Sequence, residues 1–316
     1  MNGLYRGGGP APAALNHRRD QLAWQAQRVR RHLRWAREQG IARLIEEDGL
    51  DPRDRVAAAL TKARWRRSNG VPVGTSTAVF LVGVQRSGTN MLVRGLERAP
   101  EVAVYNENSG RAFDRFRLRD DDLVADLVRR SRHRVVLFKP LCDSHRVPQL
   151  LDLDVQATVA LWAYRAVDGR VRSALAKFGD ANLQALRTIA TTGGAGMWQA
   201  GGLGEDDLEE LRRLDPDRMT PATAAATFWL LRNRLFFNLG LDRRPEVLLT
   251  SYEGFIAEPE AAMRRVCDHL RFPFRPELTA HVESRERPHA TALEIDPRVR
   301  LLCDELQARL DQTTRG

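Results

Sequence analysis

Cysteine is scarce in this sequence, and long apolar runs are missing from it. The three cysteines, Cys142, Cys267 and Cys303, are odd in number, far apart and without metal-type spacing. This usage excludes a disulfide framework, argues against a zinc site and is typical of a reduced, cytoplasmic protein. No run of about 18 apolar residues and no charged-then-apolar leader occurs, so we expect neither a membrane span nor an export signal.

Lysine is also scarce, although the chain is basic. Only Lys62, Lys139 and Lys177 are lysines, and every other cation is arginine, as coding bias in a GC-rich bacterial genome would give. The net charge of +9 is compatible with nucleic acid, a membrane surface or an anionic ligand. Because no DNA-reading motif or basic–aromatic pattern is present, we expect a mostly solvated basic surface, no nucleic-acid partner and room for a specific anionic ligand.

The first 75 residues differ in pattern from the rest. Residues 1–13 are rich in Gly, Pro and Ala without periodicity and indicate a disordered start. Apolar residues at helical spacing follow over 16–67, and Asp51-Pro52 has the form of the cap and first-turn proline of a further helix. We therefore predict a disordered start plus a helical appendage over 1–75, with a main domain over 76–316. The appendage has three open roles: packing, homodimerisation or acceptor binding.

The main domain alternates strand-length apolar runs with helical patterns, which predicts an α/β fold with a parallel sheet flanked by helices. In such sheets, ligands bind beyond the carboxyl ends of the strands. The predicted strands are 78–82, 102–105, 135–138, 158–164 and 247–249, and the predicted helices are 91–98, 123–130, 167–177, 221–239, 259–270 and 299–310.

A glycine-bearing turn follows the first predicted strand and opens a helix. It reads Gly83-Val84-Gln85-Arg86-Ser87-Gly88-Thr89-Asn90. The free amides and dipole of a helix N-terminus favour an anion, so this turn predicts a phosphate site. The glycine spacing matches the nucleotide-triphosphate loop, but Thr89 stands where that motif has lysine, and the positive charge is at Arg86.

Metal use separates the candidate nucleotide classes. Enzymes that act on magnesium triphosphates place a carboxylate at a strand end, whereas the predicted strand ends here carry Lys139, Tyr164-Arg165 and Thr250-Ser251. We therefore expect a site that neutralises phosphate with cations and hydroxyls and holds no metal. A magnesium-dependent P-loop kinase or NTPase with a degenerate loop remains the enzymatic alternative, and a basic binding protein the non-enzymatic one.

Three motifs in order resemble those of sulfotransferases that use 3'-phosphoadenosine 5'-phosphosulfate (PAPS). The segment 83–89 resembles the family's 5'-phosphosulfate loop, in the bacterial style with Arg-Ser-Gly-Thr. Arg165 followed by Ser173 resembles its 3'-phosphate motif, and Ser251-Tyr252-Glu253-Gly254 is similar to its C-terminal strand–helix signature. The resemblance covers residues 76–311 and implies the P-loop-like sulfotransferase fold, a PAPS co-substrate and sulfuryl transfer to an acceptor hydroxyl.

The resemblance also implies roles for particular residues. The chemistry of the transfer predicts that Arg86 stabilises the leaving phosphate and Lys139 the sulfuryl group, and the resemblance implies Glu107, after the second strand, as general base. His145 is the alternative base. The acceptor is left open among glycan, lipid, natural product and protein tyrosine, and the aromatic residues Trp198, Trp229, Phe236 and Phe237 either line its pocket or belong to the core. The residues implied for PAPS binding are Gln85, Arg86, Ser87, Gly88, Thr89, Asn90, Arg165, Ser173 and Arg285.

Overall fold

The computed structural model describes residues 52–282 and 293–315. The predictions for residues 1–51, and Arg285 with its loop, lie outside the described residues. The chain divides into two units between Leu60 and Thr61, and the sheet and the site described below belong to the second. The predicted boundary after residue 75 stays a prediction. No helix in the described ranges is long and apolar enough to cross a membrane.

The centre of the second unit is a five-stranded sheet in which every pairing is parallel, so the predicted fold class is confirmed. Its order is β2-β5-β1-β6-β7, and a separate antiparallel pair is formed by β3 and β4. The strands are β1 (Thr77–Gly83), β2 (Val102–Tyr105), β3 (Phe113–Asp114), β4 (Arg117–Leu118), β5 (Val135–Phe138), β6 (Ala157–Tyr164) and β7 (Val247–Ser251).

Helices follow each strand of the sheet, and all six predicted helices of the main domain are present. The described helices are α1 (Pro52–Asn69), α2 (Thr89–Leu96), α3 (Asp121–Arg129), α4 (Val147–Leu151), α5 (Val167–Phe178), α6 (Ala181–Thr192), α7 (Glu205–Arg213), α8 (Pro221–Asn238), α9 (Tyr252–Ala257), α10 (Pro259–His269) and α11 (Pro297–Arg315). Of these, α4, α6, α7 and α9 had no counterpart in the sequence prediction.

The central strands β1 and β5 and the second half of β6 are buried on both faces, as a sheet covered by helices requires. Successive residues of β1 face opposite sides: Phe80 joins the core under α8, and Leu81 joins the core under α2 and α10. Trp229 and Phe236 of α8 are fully buried in the first core. Trp229 and Phe236 therefore belong to the core and do not line an acceptor pocket.

Strand order decides which residues meet at the carboxyl edge of the sheet. β1 lies between β5 and β6, with Phe80 opposite Phe138 and Gly83 opposite Ala163. The residues that follow these strands, including Arg86, Lys139 and Arg165, therefore come from neighbouring strands and emerge at one edge.

Candidate active site

The turn after β1 is shaped by three residues with positive φ. Gly83 has φ +124°, Gly88 has φ +83° and Arg86, unusually for a residue with a side chain, has φ +73°. A Cβ on Gly83 would lie 2.1 Å from the carbonyl oxygen of Ala163, and one on Gly88 would lie 2.4 Å from the Tyr252 ring. Both positions therefore require glycine for space as well as for conformation.

The side chain of Arg86 crosses from the turn to α5. Its Nε donates a hydrogen bond of 2.9 Å to the Oγ of Ser173. The next residue, Ser87, is buried, and its Oγ has no hydrogen-bond partner among the described residues. A buried hydroxyl without a partner is costly. The Ser87 hydroxyl lies beside the N-terminus of α2, so an anionic ligand bound there would supply the missing acceptor.

Arg165, directly after β6, is held by the third motif. Its guanidinium carbon lies 4.1 Å from the centroid of the Tyr252 ring, and its Nε lies 4.0 Å from Glu253 Oε1. The other carboxylate oxygen of Glu253 accepts a hydrogen bond of 3.0 Å from the Ala166 backbone N–H. Arg165 Nε is buried without a hydrogen-bond partner in the described part of the chain, so this cation also has unused donor capacity.

Arg170 is a site residue that the sequence reasoning missed. It lies three residues before Ser173 in α5 and is completely buried. Its Nε donates to the Gln85 carbonyl at 3.3 Å, and its Nη1 donates to the Ala225 carbonyl at 2.7 Å. Burial, with a smaller effect of Arg86, lowers the pKa of Arg170 to about 9. The Arg170 guanidinium thus holds the backbone of the turn after β1 through the Gln85 carbonyl and connects it to α8 through the Ala225 carbonyl.

Lys139, Glu107 and Asn90 form a compact polar group at the same edge. The ammonium of Lys139 donates to Asn90 Oδ1 at 2.6 Å and lies 3.4 Å from Glu107 Oε2. Both charged side chains are nearly enclosed, with exposed fractions of 9% for Lys139 and 18% for Glu107. Burial raises the pKa of Glu107, Lys139 opposes that shift, and the charge of Asp143 adds to it.

His145, the alternative base, lies in a different environment. Gly201 and Gly202 pack against it so closely that a Cβ on either would lie 2.6 Å from its atoms. Burial, followed by the positive charge of Arg232, lowers the pKa of His145 to about 4. Within the described residues, no hydrogen bond or ion pair joins it to Lys139 or Glu107. The sequence did not indicate that Gly201 and Gly202 contact His145. Through this contact the glycine-rich segment 191–204 packs against His145 near its C-terminal end.

No family model and no curated protein sequence matches this chain. Among solved structures it is similar to a sulfotransferase from Alicyclobacillus acidocaldarius, with 18% identity, 75% of this chain and 95% of that chain covered, and a TM-score of 0.42. It is also similar to the sulfotransferase domain from the curacin biosynthetic pathway (14% identity, 73% and 98% covered, TM-score 0.43). A third similarity is to the sulfotransferase domain from the Synechococcus PCC 7002 olefin synthase (14% identity, 78% and 95% covered, TM-score 0.38). At these identities and TM-scores, the chemistry has to rest on the chain's own residues.

Proposed function

We propose that this chain is a sulfotransferase that moves a sulfuryl group from PAPS to an acceptor hydroxyl. The observation that carries the proposal is the hydrogen bond from Arg86 to Ser173. It joins the loop that resembles the 5'-phosphosulfate motif to the helix that resembles the 3'-phosphate motif. The two proposed phosphate-binding elements are thus in direct contact. This arrangement suits a ligand that has phosphate groups at both its 5' and 3' positions.

Two hydrogen-bond donors at the carboxyl edge of the sheet are also available for such a ligand. Ser87 Oγ and Arg165 Nε are buried donors without hydrogen-bond partners in the described ranges, and phosphate oxygens would satisfy both. The loop amides and the N-terminus of α2 would hold the 5' end, with Gln85, Gly88, Thr89 and Asn90 forming the rest of the predicted cradle. Arg165 and Ser173 would hold the 3'-phosphate, and Arg285 remains part of the proposal as a further contact.

The transfer itself requires three contributions from the protein. In the reaction, the acceptor oxygen forms a bond to sulfur while the bond from sulfur to the bridging phosphate oxygen breaks, and 3'-phosphoadenosine 5'-phosphate leaves. Glu107 would accept the proton of the acceptor hydroxyl, as a positioned general base does. Lys139, 3.4 Å from that carboxylate, would stabilise charge on the transferred group, and Arg86 would stabilise charge on the leaving phosphate.

The distribution of charge separates this proposal from magnesium-dependent chemistry. The loop contributes the cation Arg86, β6 is followed by the cation Arg165, and α5 contributes the cation Arg170. Hydroxyls accompany them at Ser87 and Ser173. Glu107 and Glu253 are each within ion-pair distance of a cation, so they are already engaged. We therefore expect the bisphosphate product to bind without a divalent ion.

The decisive experiment measures binding of 3'-phosphoadenosine 5'-phosphate by calorimetry in EDTA, with thermal unfolding in parallel. A ligand that binds only the folded state raises the melting temperature by mass action. We expect binding and a thermal shift in EDTA, both exceeding those of ATP with magnesium. If the chelator abolishes binding, or if magnesium ATP binds more tightly, a P-loop kinase or NTPase is the better assignment.

A further inference from the structure

A cleft of about 780 Å³ runs beside the edge strand β2. It lies between the second half of α1, α3 and the turn before β5, and the function proposed above does not use it. Five arginines line it: Arg66, Arg67, Arg111, Arg130 and Arg132. Among the lining residues that the structure describes, Asp126 is the only acidic one.

Most of this positive charge has no acidic partner among the described residues. Asp126 is engaged by Arg129 at 3.4 Å and by Arg130 at 2.6 Å, so the one acid and one of the five cations neutralise each other. No ion pair joins Arg66, Arg67, Arg111 or Arg132 to a carboxylate within residues 52–282 and 293–315. The charge of Arg66 also contributes, after burial, to lowering the pKa of His133 in the cleft wall.

Apart from Ser131 and His133, the remaining described lining of the cleft is apolar or aromatic. Ala63, Ala103, Leu123, Leu127 and the ring of Tyr105 contribute to it, and Leu123 keeps 38% of its surface exposed. Aliphatic and aromatic surface beside four guanidinium groups that have no ion-pair partner in the described part of the chain complements a ligand that has both an apolar body and an anionic group. A polyanion without apolar parts would leave this surface in contact with water.

One end of the cleft adjoins the reactive edge of the sheet. The carbonyl of Tyr105 accepts a hydrogen bond of 3.2 Å from the backbone N–H of Lys139, and Lys139 contacts Glu107. Arg111 follows Glu107 by four residues. The cleft residues Tyr105 and Arg111 thus flank Glu107 in the chain, so this end of the cleft is the one nearest in sequence to the residues proposed to activate the acceptor.

We propose that this cleft binds the acceptor, and that the acceptor is an amphiphilic acid, an apolar chain or ring bearing a carboxylate in addition to its hydroxyl. This proposal rests on the proposed sulfotransferase function. The guanidinium groups bind the carboxylate, the apolar wall binds the body, and the hydroxyl points toward Glu107.

The test uses 12-hydroxydodecanoate as the acidic probe and 1,12-dodecanediol as its neutral counterpart. Binding of each to the full chain is measured by calorimetry. We expect the hydroxy acid to bind at least tenfold more tightly than the diol, and its affinity to fall as salt is raised, because salt screens exposed charges. Equal affinity of the two probes would overturn the proposal.

Variants of α1 test the site itself. Arg66→Gln with Arg67→Gln should weaken the hydroxy acid at least tenfold, whereas Arg64→Gln, an exposed arginine of the same helix that does not line the cleft, should change it less than twofold. In turnover with PAPS, the double variant should raise KM for the hydroxy acid and leave kcat unchanged. An equal effect of Arg64→Gln would overturn the proposal, because general surface charge would then explain the binding.

Three outcomes distinguish failure of the cleft proposal from failure of the sulfotransferase proposal. If 3'-phosphoadenosine 5'-phosphate binds and the hydroxy acid does not, the cleft proposal is wrong and the sulfotransferase proposal stands. If the hydroxy acid binds through Arg66 and Arg67 and the bisphosphate does not bind, the role of the cleft as an acceptor site is overturned together with the proposed function. Binding of a 12-nucleotide single-stranded DNA through the same arginines, without binding of the hydroxy acid, would identify a nucleic-acid surface instead.

Discussion

The Nε of Arg86 lies 2.9 Å from the Oγ of Ser173 and donates a hydrogen bond to it. The two residues belong to different motifs and are separated by 87 positions in the chain. Arg86 also has positive φ, a backbone conformation that residues other than glycine rarely adopt. The hydrogen bond therefore couples the geometry of the turn after β1 to α5, and a change at Arg86 or Ser173 should affect binding at both proposed phosphate positions.

Arg165→Ala should discriminate between ligands with and without a 3'-phosphate. A charged hydrogen-bond partner contributes about 1.5–3 kcal/mol, so the affinity for 3'-phosphoadenosine 5'-phosphate should fall roughly ten- to a hundredfold. Adenosine 5'-phosphosulfate, which lacks the 3'-phosphate, should bind almost as before. Calorimetry with both ligands measures this, with Arg64→Ala as the charge-matched control. Equal losses for both ligands would remove Arg165 from the 3'-phosphate site.

Ser173→Ala should weaken both ligands, and the bisphosphate more. The substitution removes the proposed donor to the 3'-phosphate and also removes the acceptor of the hydrogen bond from Arg86. The second effect should reach the 5' end, so adenosine 5'-phosphosulfate should lose a few-fold in affinity, as an indirect loss of about 1 kcal/mol would give. An unchanged affinity for adenosine 5'-phosphosulfate would show that the Arg86–Ser173 contact does not hold the loop.

Gly88→Ala should damage both stability and ligand binding. The new Cβ would meet the Tyr252 ring at 2.4 Å, and the residue would keep a φ of +83°. Backbone strain of this kind costs about 1–3 kcal/mol, so urea unfolding should show that loss, and bisphosphate affinity should fall at least tenfold. Gly110→Ala is the matched control, because nothing lies within 4 Å of its Cβ position. A stable Gly88→Ala protein with normal affinity would contradict the assigned role of the turn.

His145 should make the fold sensitive to mild acid. Its pKa lies near 4 in the folded protein, below that of an ordinary histidine near 6.5 in the unfolded chain. The unfolded state therefore binds more protons between these values, and stability falls as the pH falls through this window. Urea unfolding at pH 7.5 and pH 5 should show a smaller difference for His145→Gln than for the parent protein. An unchanged difference would mean that His145 is not buried as described.

Most of the sheet and part of the site followed from local patterns in the sequence. The apolar runs of β1 and β6 are long and bounded by turn residues, so their positions and the phosphate turn between Gly83 and Gly88 were predictable. Arg170 was not, because a buried arginine in a helix has the same local pattern as an exposed one. Its role depends on packing under the carbonyl of Gln85, which is a long-range contact.

The contact between Tyr252 and two other motifs was equally invisible in the sequence. Tyr252 stacks under Arg165 and occupies the space beside Gly88, so one aromatic ring connects all three predicted motifs. Each motif was recognisable from its own residues, but the distance between motifs is set by strand order. That order, β2-β5-β1-β6-β7, is decided by packing of the whole domain and cannot be read from any one segment.

The proposal that Glu107 is the general base comes from the family resemblance, and its contact with Lys139, 3.4 Å away, is compatible with that role. Glu107→Gln preserves the shape and removes the base. A positioned base contributes about 10²–10⁴-fold, so turnover should fall by that order while bisphosphate affinity stays within twofold. His145→Ala, measured beside it at pH 7.5, should retain turnover within about threefold. The reverse pattern would make His145 the base.

The pH dependence of turnover gives an independent test of the same assignment. Glu107 must be ionised to accept a proton, so kcat/KM should fall as the pH drops through its pKa. Burial raises that pKa, and Lys139 opposes the shift. In Lys139→Met the opposing charge is gone, so the acidic limb of the residual activity should move to higher pH. In Glu107→Gln the limb should disappear. A limb that stays at the same pH in Lys139→Met would show that the titrating group is not the carboxylate beside Lys139.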